Sequence, residues 1–355
     1  MEINQLLEKF NGKKVFITGH TGFKGSWLLM ILNNCGATIK GYSLEPKQND
    51  LYNLINGDKL CESVISDIRN LKRLKKEIIE FQPDYIFHLA AQPLVIESYK
   101  NPLYTFDTNF NGTLNLLEIC REIDFNISLT IITTDKVYKN LNTNKPYKEE
   151  FVLGGHDPYS SSKAIVELLL QSYNDSFFNL TTKSNFISIS SARSGNVIGG
   201  GDFSKDRIIP DMIKAFKNND TLLIRNPDSI RPWQHVLDPL FGYILLAYKN
   251  YNNNNKFNTS YNFGPYENDS FTVKDLVIQS QQILNDLKYK IELSNNFKET
   301  KILKLDINKS ISELKWNPIW NTKKSIIKTI EWYKYSKGNE LNFSLDQIKQ
   351  YINDF

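Results

Sequence analysis

A doubly wound α/β fold, with a parallel sheet covered on both faces, is predicted by three observations. Short apolar runs alternate with helical patterns through the first half of the chain, a glycine-spaced turn links the first run to the first helix, and the later apolar runs end in polar, chemically useful residues. Val15 to Thr18 reads as a buried strand and Ser26 to Leu32 as the helix after it. Thr38 to Leu44 is a second strand, and Leu71 to Phe81 a charged amphipathic helix. Asp84 to Leu89, Leu129 to Thr134 and Asn185 to Ser191 are further strands, separated by helices over Gly112 to Ile123 and Ser160 to Tyr173. Ligands of such folds bind at the carboxyl ends of the strands, so the chemistry is expected there.

The second half is less regular. It holds a Gly199-Gly-Gly201 turn, a Pro- and Arg-containing run from Arg225 to Arg231, and an asparagine-rich stretch from Asn250 to Asn258 that reads as a solvated loop. From Asp275 onward the pattern is mostly helical, and no internal repeat is visible. The expected organisation is a dinucleotide-binding domain over 1–191, with 230–262 returning to it. A smaller mixed α/β lobe over 192–229 and 263–355 would hold the substrate.

Composition narrows the function. The 355 residues include 41% hydrophobic ones, enough for a sizeable core, and the formal charge is +4. So mild a balance predicts no nucleic-acid partner, since phosphate-backbone binding needs clustered Lys and Arg. Cys35, Cys61 and Cys120 are far apart and show no metal-ligand spacing, so thiols in a reducing compartment and no metal are expected. Met1 to Phe10 lacks a secretory signal pattern, and no window approaches the about 18 apolar residues of a membrane span. A cytoplasmic protein with no membrane partner is the expectation.

Four motifs carry the chemistry. Gly19, Gly22 and Gly25, in Thr18-Gly-His-Thr-Gly-Phe-Lys-Gly25, have GxxGxxG spacing between strand and helix, where glycines allow a tight turn and close approach to a pyrophosphate. His20, Phe23 and Lys24 fall within the same turn. The second strand ends near Ser43, with Glu45 just beyond and no Arg for a 2′-phosphate, which favours NAD over NADP. Asp67 and Ile68 follow a third short strand, at the adenine end. Tyr159 and Lys163 lie i, i+4 on one helix face, where an ammonium near a phenol favours the phenolate. Asp135 and Lys136, in Thr133-Thr-Asp-Lys-Val-Tyr138 at the end of a strand, are placed for acid/base work on a bound sugar.

In this order the four motifs resemble the extended short-chain dehydrogenase/reductase family. More specific stretches, Gly19 to Leu28, His88 to Val95, Leu153 to Ala164, Asn196 to Asp202, Asp206 to Pro210 and Arg231 to Leu240, resemble the CDP-glucose 4,6-dehydratases within it, over roughly residues 10 to 335. The resemblance implies a Rossmann domain holding NAD, with Leu89, Ala90, Ala91 and Asn109 added to its contacts, and CDP-glucose as substrate. It implies that Tyr159 takes the sugar C4 hydroxyl proton, that Lys163 lowers the Tyr159 pKa and binds the nicotinamide ribose, and that Thr134 hydrogen-bonds the C4 oxygen. Asp135 would be the acid at C6. Lys136 stands where related dTDP-glucose enzymes have a Glu base, and whether Lys136 is itself the C5 base stays open. Arg207, Arg231 and Asn196 would meet the diphosphate, and Gln92 and Ser98 the hexose. The family pairs subunits through a helix bundle, so a homodimer or homotetramer is implied, with Gly112–Ile123 and Ser160–Tyr173 as candidate faces.

Other readings are a dehydratase acting on UDP-hexosamine or GDP-mannose, a nucleotide-sugar epimerase, and a non-catalytic NAD-binding scaffold. Asp135-Lys136 argues against an epimerase, which needs no acid/base couple at C5 and C6. The intact Tyr159 and Lys163 argue against a scaffold.

Overall fold

The computed structural model describes residues 2–141, 143–179, 186–253, 256–292 and 302–355. Seven strands form one sheet: β1 (Lys14–Thr18), β2 (Thr38–Ser43), β3 (Glu62–Ile65), β4 (Tyr85–His88), β5 (Ile127–Ile132), β6 (Ile187–Ser194) and β7 (Ser260–Phe263). Their spatial order is β7-β6-β5-β4-β1-β2-β3, and every pairing is parallel. The order reverses between β1 and β4, the switch point at which a Rossmann sheet opens a crevice.

The period-two alternation of strands explains why the apolar runs are nearly continuous. Val15 and Ile17 of β1 join one buried cluster while Phe16 joins the other, and Tyr85 and Phe87 of β4 separate from Ile86 in the same way. On one face, helices Phe23–Asn34 and Leu237–Asn252 cover the sheet through Trp27, Leu28, Leu240 and Ile244. On the other, Leu71–Phe81, Gly112–Glu122 and Pro158–Tyr173 do so through Leu74, Ile78, Leu116, Val166 and Leu170. The later chain adds helices Ile208–Lys217, Val273–Gln281, Thr322–Tyr335 and Glu340–Asn353, with strand Lys288–Ile291 pairing parallel to Thr221–Ile224.

Local signals set several helix ends. Asp157 caps the helix Pro158–Tyr173, accepting from the Ser160 amide while Ser160 answers to the Asp157 backbone, and Pro158 fills the first turn, where no amide is needed. The helix therefore starts two residues before the expected Ser160. The helix expected from Gly112 is preceded by the helical turn Pro102–Phe106 and a wider π turn at Asp107–Asn111. The run from Asn250 is not loop at its start. Helix Leu237–Asn252 includes Asn250, which is fully buried and donates to the Ser190 hydroxyl at 3.3 Å, so an internal partner outweighs the polarity of the stretch. Asn185, placed at the start of a strand by the sequence, lies outside the described residues, and β6 begins at Ile187 and continues to Ser194.

One buried carboxylate fastens four of these elements. Glu167, one turn beyond Lys163, pairs with Arg193 of β6 at 2.9 Å and accepts from Ser191 at 2.7 Å, from Ser260 of β7 at 2.9 Å, and from Thr133 after β5. Arg193 also donates to the Tyr138 hydroxyl at 2.8 Å and lies 5.0 Å from that ring's centre. Burial alone would raise the Glu167 pKa, but the Arg193 charge and the hydroxyl donors hold it below the usual range. A second carboxylate, Asp238, is buried where helix Leu237–Asn252 meets the C-terminal segments. It accepts from the Ile319 amide at 2.7 Å and the Tyr351 hydroxyl at 2.8 Å, and burial pushes its pKa up to about 7.

Two outcomes are expected. Arg193→Met leaves the Glu167 carboxylate buried without its cation and should cost about 3–5 kcal/mol in urea unfolding, a loss that adding Glu167→Gln partly restores; a loss below about 1 kcal/mol would show that the pair does not matter. A carboxyl whose folded pKa is raised gives stability that is full below its ordinary value of 3.8 and lost as pH rises through about 7. Unfolding titrations should therefore show stability falling over that window, and Asp238→Asn should flatten the slope.

Candidate active site

A cleft of about 1580 Å³ runs across the carboxyl ends of the strands, from Gly19 and Gly22 past Tyr159 and Lys163 to Arg207 and Arg231. It exceeds the about 300–1,000 Å³ that holds one drug-sized ligand, so it has room for two molecules end to end. The glycine turn forms one wall. At Gly19, φ is +75° and a Cβ would stand 2.7 Å from the Ala90 amide nitrogen; at Gly25 it would stand 2.1 Å from the Gly19 carbonyl oxygen. At Gly22 a Cβ would meet only that carbonyl oxygen, at 3.4 Å, so this glycine keeps space on the cleft side. Helix Phe23–Asn34 begins directly after Gly22 and has no side-chain cap, which leaves first-turn amides for an anion. These features fit a dinucleotide with its pyrophosphate at Gly22.

Farther along that wall, Ser43 lines the cleft at the end of β2 and shares a hydrogen bond with Thr21 at 2.8 Å. Asp67 and Ile68 line it after β3, and Leu89, Ala90 and Ala91 after β4. Asp67 pairs with Arg69, whose hydrogen bonds hold its carboxyl below the usual range; Arg69 also bridges to Asp107 at 2.8 Å and lies 5.1 Å from the centre of the Tyr104 ring. Phe23 and Lys24 line the cleft as well.

At the centre, Lys163 donates to the carbonyl of Ile132, the last residue of β5, at 3.1 Å. Tyr159 lines the cleft and is 9% exposed. Burial pushes its pKa up to about 12, against hydrogen bonding from Thr134, and burial brings Lys163 down to about 8. The net direction in the protein alone is set by burial: desolvation of the phenolate outweighs the Thr134 hydrogen bond and the Arg207 charge, both of which favour the phenolate. Thr134 donates to Asp135 Oδ1 at 3.0 Å, and the Lys136 ammonium donates to the same oxygen at 3.1 Å. Asp135 is fully buried, and its Oδ2 has no hydrogen-bond partner. Asp135 itself does not line the cleft, but Thr134 and Lys136, which donate to it, do; a buried carboxylate oxygen with no hydrogen-bond partner next to them is a candidate proton-transfer group.

Arg207, Arg231 and Asn196 line the far end. Arg207 is held by Asp202 at 2.7 Å, and Arg231 is 8% exposed, so both guanidiniums are set before any ligand arrives. Other candidates are brought near the site but not to the cleft surface. Gln92 is buried and donates to Thr105 at 2.8 Å and to the Leu94 carbonyl at 3.1 Å; Ser98 donates to the Val95 carbonyl at 2.7 Å. Asn109 clasps the backbone of Gln92 and the Ser162 hydroxyl, tying the β4 loop to the Tyr159 helix. His20 is buried against Gly41, hydrogen-bonds Ser63 at 2.8 Å, and has its pKa lowered to about 4 by burial. Sequence reasoning missed Thr21, Asp202 and Ser194, which also line the cleft. Ser194 is hidden in the sequence because the expected strand stops at Ser191, whereas β6 runs three residues farther and reaches the cleft at its true end.

A family model described as GDP-mannose 4,6 dehydratase matches residues 16–329. CDP-glucose 4,6-dehydratase of Salmonella typhimurium is 43% identical over 94% of this chain and 94% of its own length. dTDP-glucose 4,6-dehydratase of the same organism is 24% identical, covering 90% of this chain and 92% of that one. Among solved structures, dTDP-glucose 4,6-dehydratase from Bacillus anthracis in complex with NAD superposes with a TM-score of 0.76 at 23% identity, over 93% of this chain and 98% of that one. The strand order, the glycine turn, the Tyr159–Lys163 helix and the extent of these matches agree: the chain belongs to the GDP-mannose 4,6-dehydratase family, among the extended short-chain dehydrogenase/reductase proteins.

Proposed function

We infer that the protein converts CDP-glucose to CDP-4-keto-6-deoxyglucose by NAD-dependent intramolecular oxidation, dehydration and reduction. The observation that carries this reading is that Thr134, Lys136 and Tyr159 line one cleft with the glycine turn, with the buried Asp135 bonded to both Thr134 and Lys136. An acid and a cation at this place serve the loss of a C6 hydroxyl, which simple oxidation or epimerisation does not require. The choice of CDP-glucose among nucleotide sugars rests on the 43% identity to the Salmonella enzyme of that name.

The roles of the residues are those the family resemblance implies, and their surroundings support them. Tyr159 would accept the C4 hydroxyl proton as the phenolate, a form that the positive charge of bound oxidised NAD would favour against the burial that keeps the phenol protonated in the protein alone, with Thr134 holding the C4 oxygen. Lys163, anchored to the Ile132 carbonyl, keeps the reacting end of the dinucleotide against Tyr159. NAD, when bound, supplies the redox chemistry, taking hydrogen with its electron pair from C4 and returning it at C6. Once C4 is a ketone, the C5 proton is acidic, and the Asp135 carboxyl protonates the departing C6 hydroxyl. Lys136 is an ammonium held by Asp135, so it serves the C5 step by opposing negative charge on the ketone oxygen, or as base once it has passed on its proton. Gly19, Gly22 and Gly25 admit the pyrophosphate; Ser43, Asp67 and Ile68 meet the adenosine half. Arg207, Arg231 and Asn196 take the sugar diphosphate. Gln92, Ser98, His20 and Asn109 support the walls from behind.

The lobe over 192–229 and 263–355 holds the nucleotide sugar, and 1–191 with 230–262 holds NAD. Ile165 and Leu168 are exposed on the Tyr159 helix, a face suited to a homodimer or homotetramer. Among the described residues no helix is long and apolar enough to cross a membrane, and a cytoplasmic location fits the biosynthetic role.

Isotope fate tests the reaction. CDP-glucose carrying deuterium at C4 should yield a product labelled at C6, with solvent hydrogen at C5; label lost to free reduced NAD without a 6-deoxy sugar would make the protein a simple dehydrogenase. Variants separate the half-reactions. Tyr159→Phe should give no absorbance of reduced nicotinamide with substrate. Asp135→Asn should still oxidise C4 but eliminate roughly 10²–10⁴-fold more slowly, so reduced nicotinamide should accumulate; turnover at the parental rate would remove Asp135 from the mechanism.

A further inference from the structure

The segment after β3 holds an arginine that stands behind the cleft wall. Asp67 and Ile68 line the cleft, whereas Arg69 does not. The Arg69 guanidinium takes the Asp67 carboxylate as a fork: Nε donates to Oδ1 at 3.0 Å and Nη2 to Oδ2 at 2.7 Å. The Arg69 backbone amide adds a second bond to Oδ1, at 2.9 Å. A carboxylate oxygen has two lone pairs, so Oδ1 is fully used and Oδ2 keeps one place for a further donor. The Arg69 hydrogen bonds also hold this carboxyl below the usual range, so near neutral pH it only accepts.

The same guanidinium reaches across to the chain after β4. Nη1 donates to Asp107 Oδ2 at 2.8 Å, and the charge lies 5.1 Å from the centre of the Tyr104 ring, which lines the cleft. Asp107 opens the π turn Asp107–Asn111, a widened form often found at functional sites. Three successive residues of that turn serve three neighbours. Asp107 holds Arg69, Thr108 lines the cleft, and Asn109 donates to Ser162 on the Tyr159 helix at 2.8 Å. From the following helix, Asn115 donates to the carbonyls of Ile68 at 3.3 Å and Arg69 at 3.2 Å. The side chains of Arg69 and Asp107 are 36% exposed and that of Asp67 is 30% exposed, so these ion pairs add little to stability. What they fix is where the Asp67 carboxylate stands.

We propose that Arg69 is a positioning residue for the dinucleotide, holding Asp67 Oδ2 as the acceptor of the adenine 6-amino group and tying that acceptor to Tyr104 and Asp107. A carboxylate fixed in this way tells adenine from a purine that carries oxygen at the same position. The amino group donates to the open place on Oδ2, whereas a carbonyl oxygen there has nothing to donate and faces a negative charge. Without the guanidinium fork the carboxylate is free to turn toward water, and the distinction between the two bases fades.

This inference rests on the NAD reading above, and the test separates the two. Dissociation constants of the full-length protein would be measured for NAD and for nicotinamide hypoxanthine dinucleotide, in which a carbonyl oxygen replaces the 6-amino group. The parent protein should favour NAD by roughly tenfold or more, the worth of one hydrogen bond to a charged group. Arg69→Met should bring that ratio to about threefold or less, raising KM for NAD while kcat at saturating NAD stays within about twofold. Asp67→Ala should lower the ratio as far, and adding Arg69→Met to it should change the ratio no further. A merely structural role for Arg69 would weaken both dinucleotides alike and leave the ratio where it was. An unchanged ratio in Arg69→Met, or a further fall in the double variant, would overturn the proposal. Equal affinity of the parent protein for the two dinucleotides would overturn it too, while leaving NAD as the cofactor. Failure of the parent protein to bind either dinucleotide would instead overturn the NAD reading itself.

Discussion

The buried Glu167 carboxylate is the fixed point on which the site depends. It lies one helical turn from Lys163 and two from Tyr159, and it is bonded to Arg193 and Ser191 of β6, Ser260 of β7 and Thr133 at the end of β5. Three strands and the helix that carries the Tyr159–Lys163 pair are therefore held in register by one charge. Through Arg193 the bonding reaches Tyr138, and from there Asn262 at 2.7 Å. An isolated buried carboxylate would be costly; with one guanidinium and three hydroxyls its negative charge is held, and the geometry around it is narrowly defined. Such a carboxylate acts by orienting others, since it is buried and does not line the cleft.

Burial sets the chemistry as much as it sets the fold. The protein alone holds Tyr159 as a phenol and draws Lys163 and Lys24 toward neutrality. Asp135 adds an unpaired carboxylate oxygen to this cation-rich region. Groups that water would leave in fixed protonation states thus become responsive to the charge of whatever binds, which a sequence of oxidation, elimination and reduction in one cleft demands. At the far end Asp202 fixes Arg207 before a diphosphate arrives, so less ordering is needed on binding.

Much of this was legible in the amino-acid order. Strands β1, β4 and β5 were readable because their runs are buried on both faces, and Leu71–Phe81 because its apolar positions keep helical spacing. The chemistry-bearing motifs were readable because each sits at a strand end or helix start. What escaped was decided by partners distant in sequence. Asn250 looks like loop until Ser190 is seen beside it, and His20 looks like a ligand contact until Gly41 and Ser63 enclose it. Gln92 and Ser98 bear the right polar groups, but neighbours consume those groups locally. The net direction of the Tyr159 shift also depends on burial, which spacing along a helix does not report.

The most direct test of the central claim is product analysis after incubating the purified protein with NAD and, separately, CDP-glucose, dTDP-glucose, UDP-N-acetylglucosamine and GDP-mannose. A 4-keto-6-deoxy sugar should form from CDP-glucose, at least about tenfold faster than from any other nucleotide sugar, a discrimination of about 1.4 kcal/mol in the transition state. Faster turnover of another nucleotide sugar, or inversion at C4 with the C6 hydroxyl retained, would contradict it.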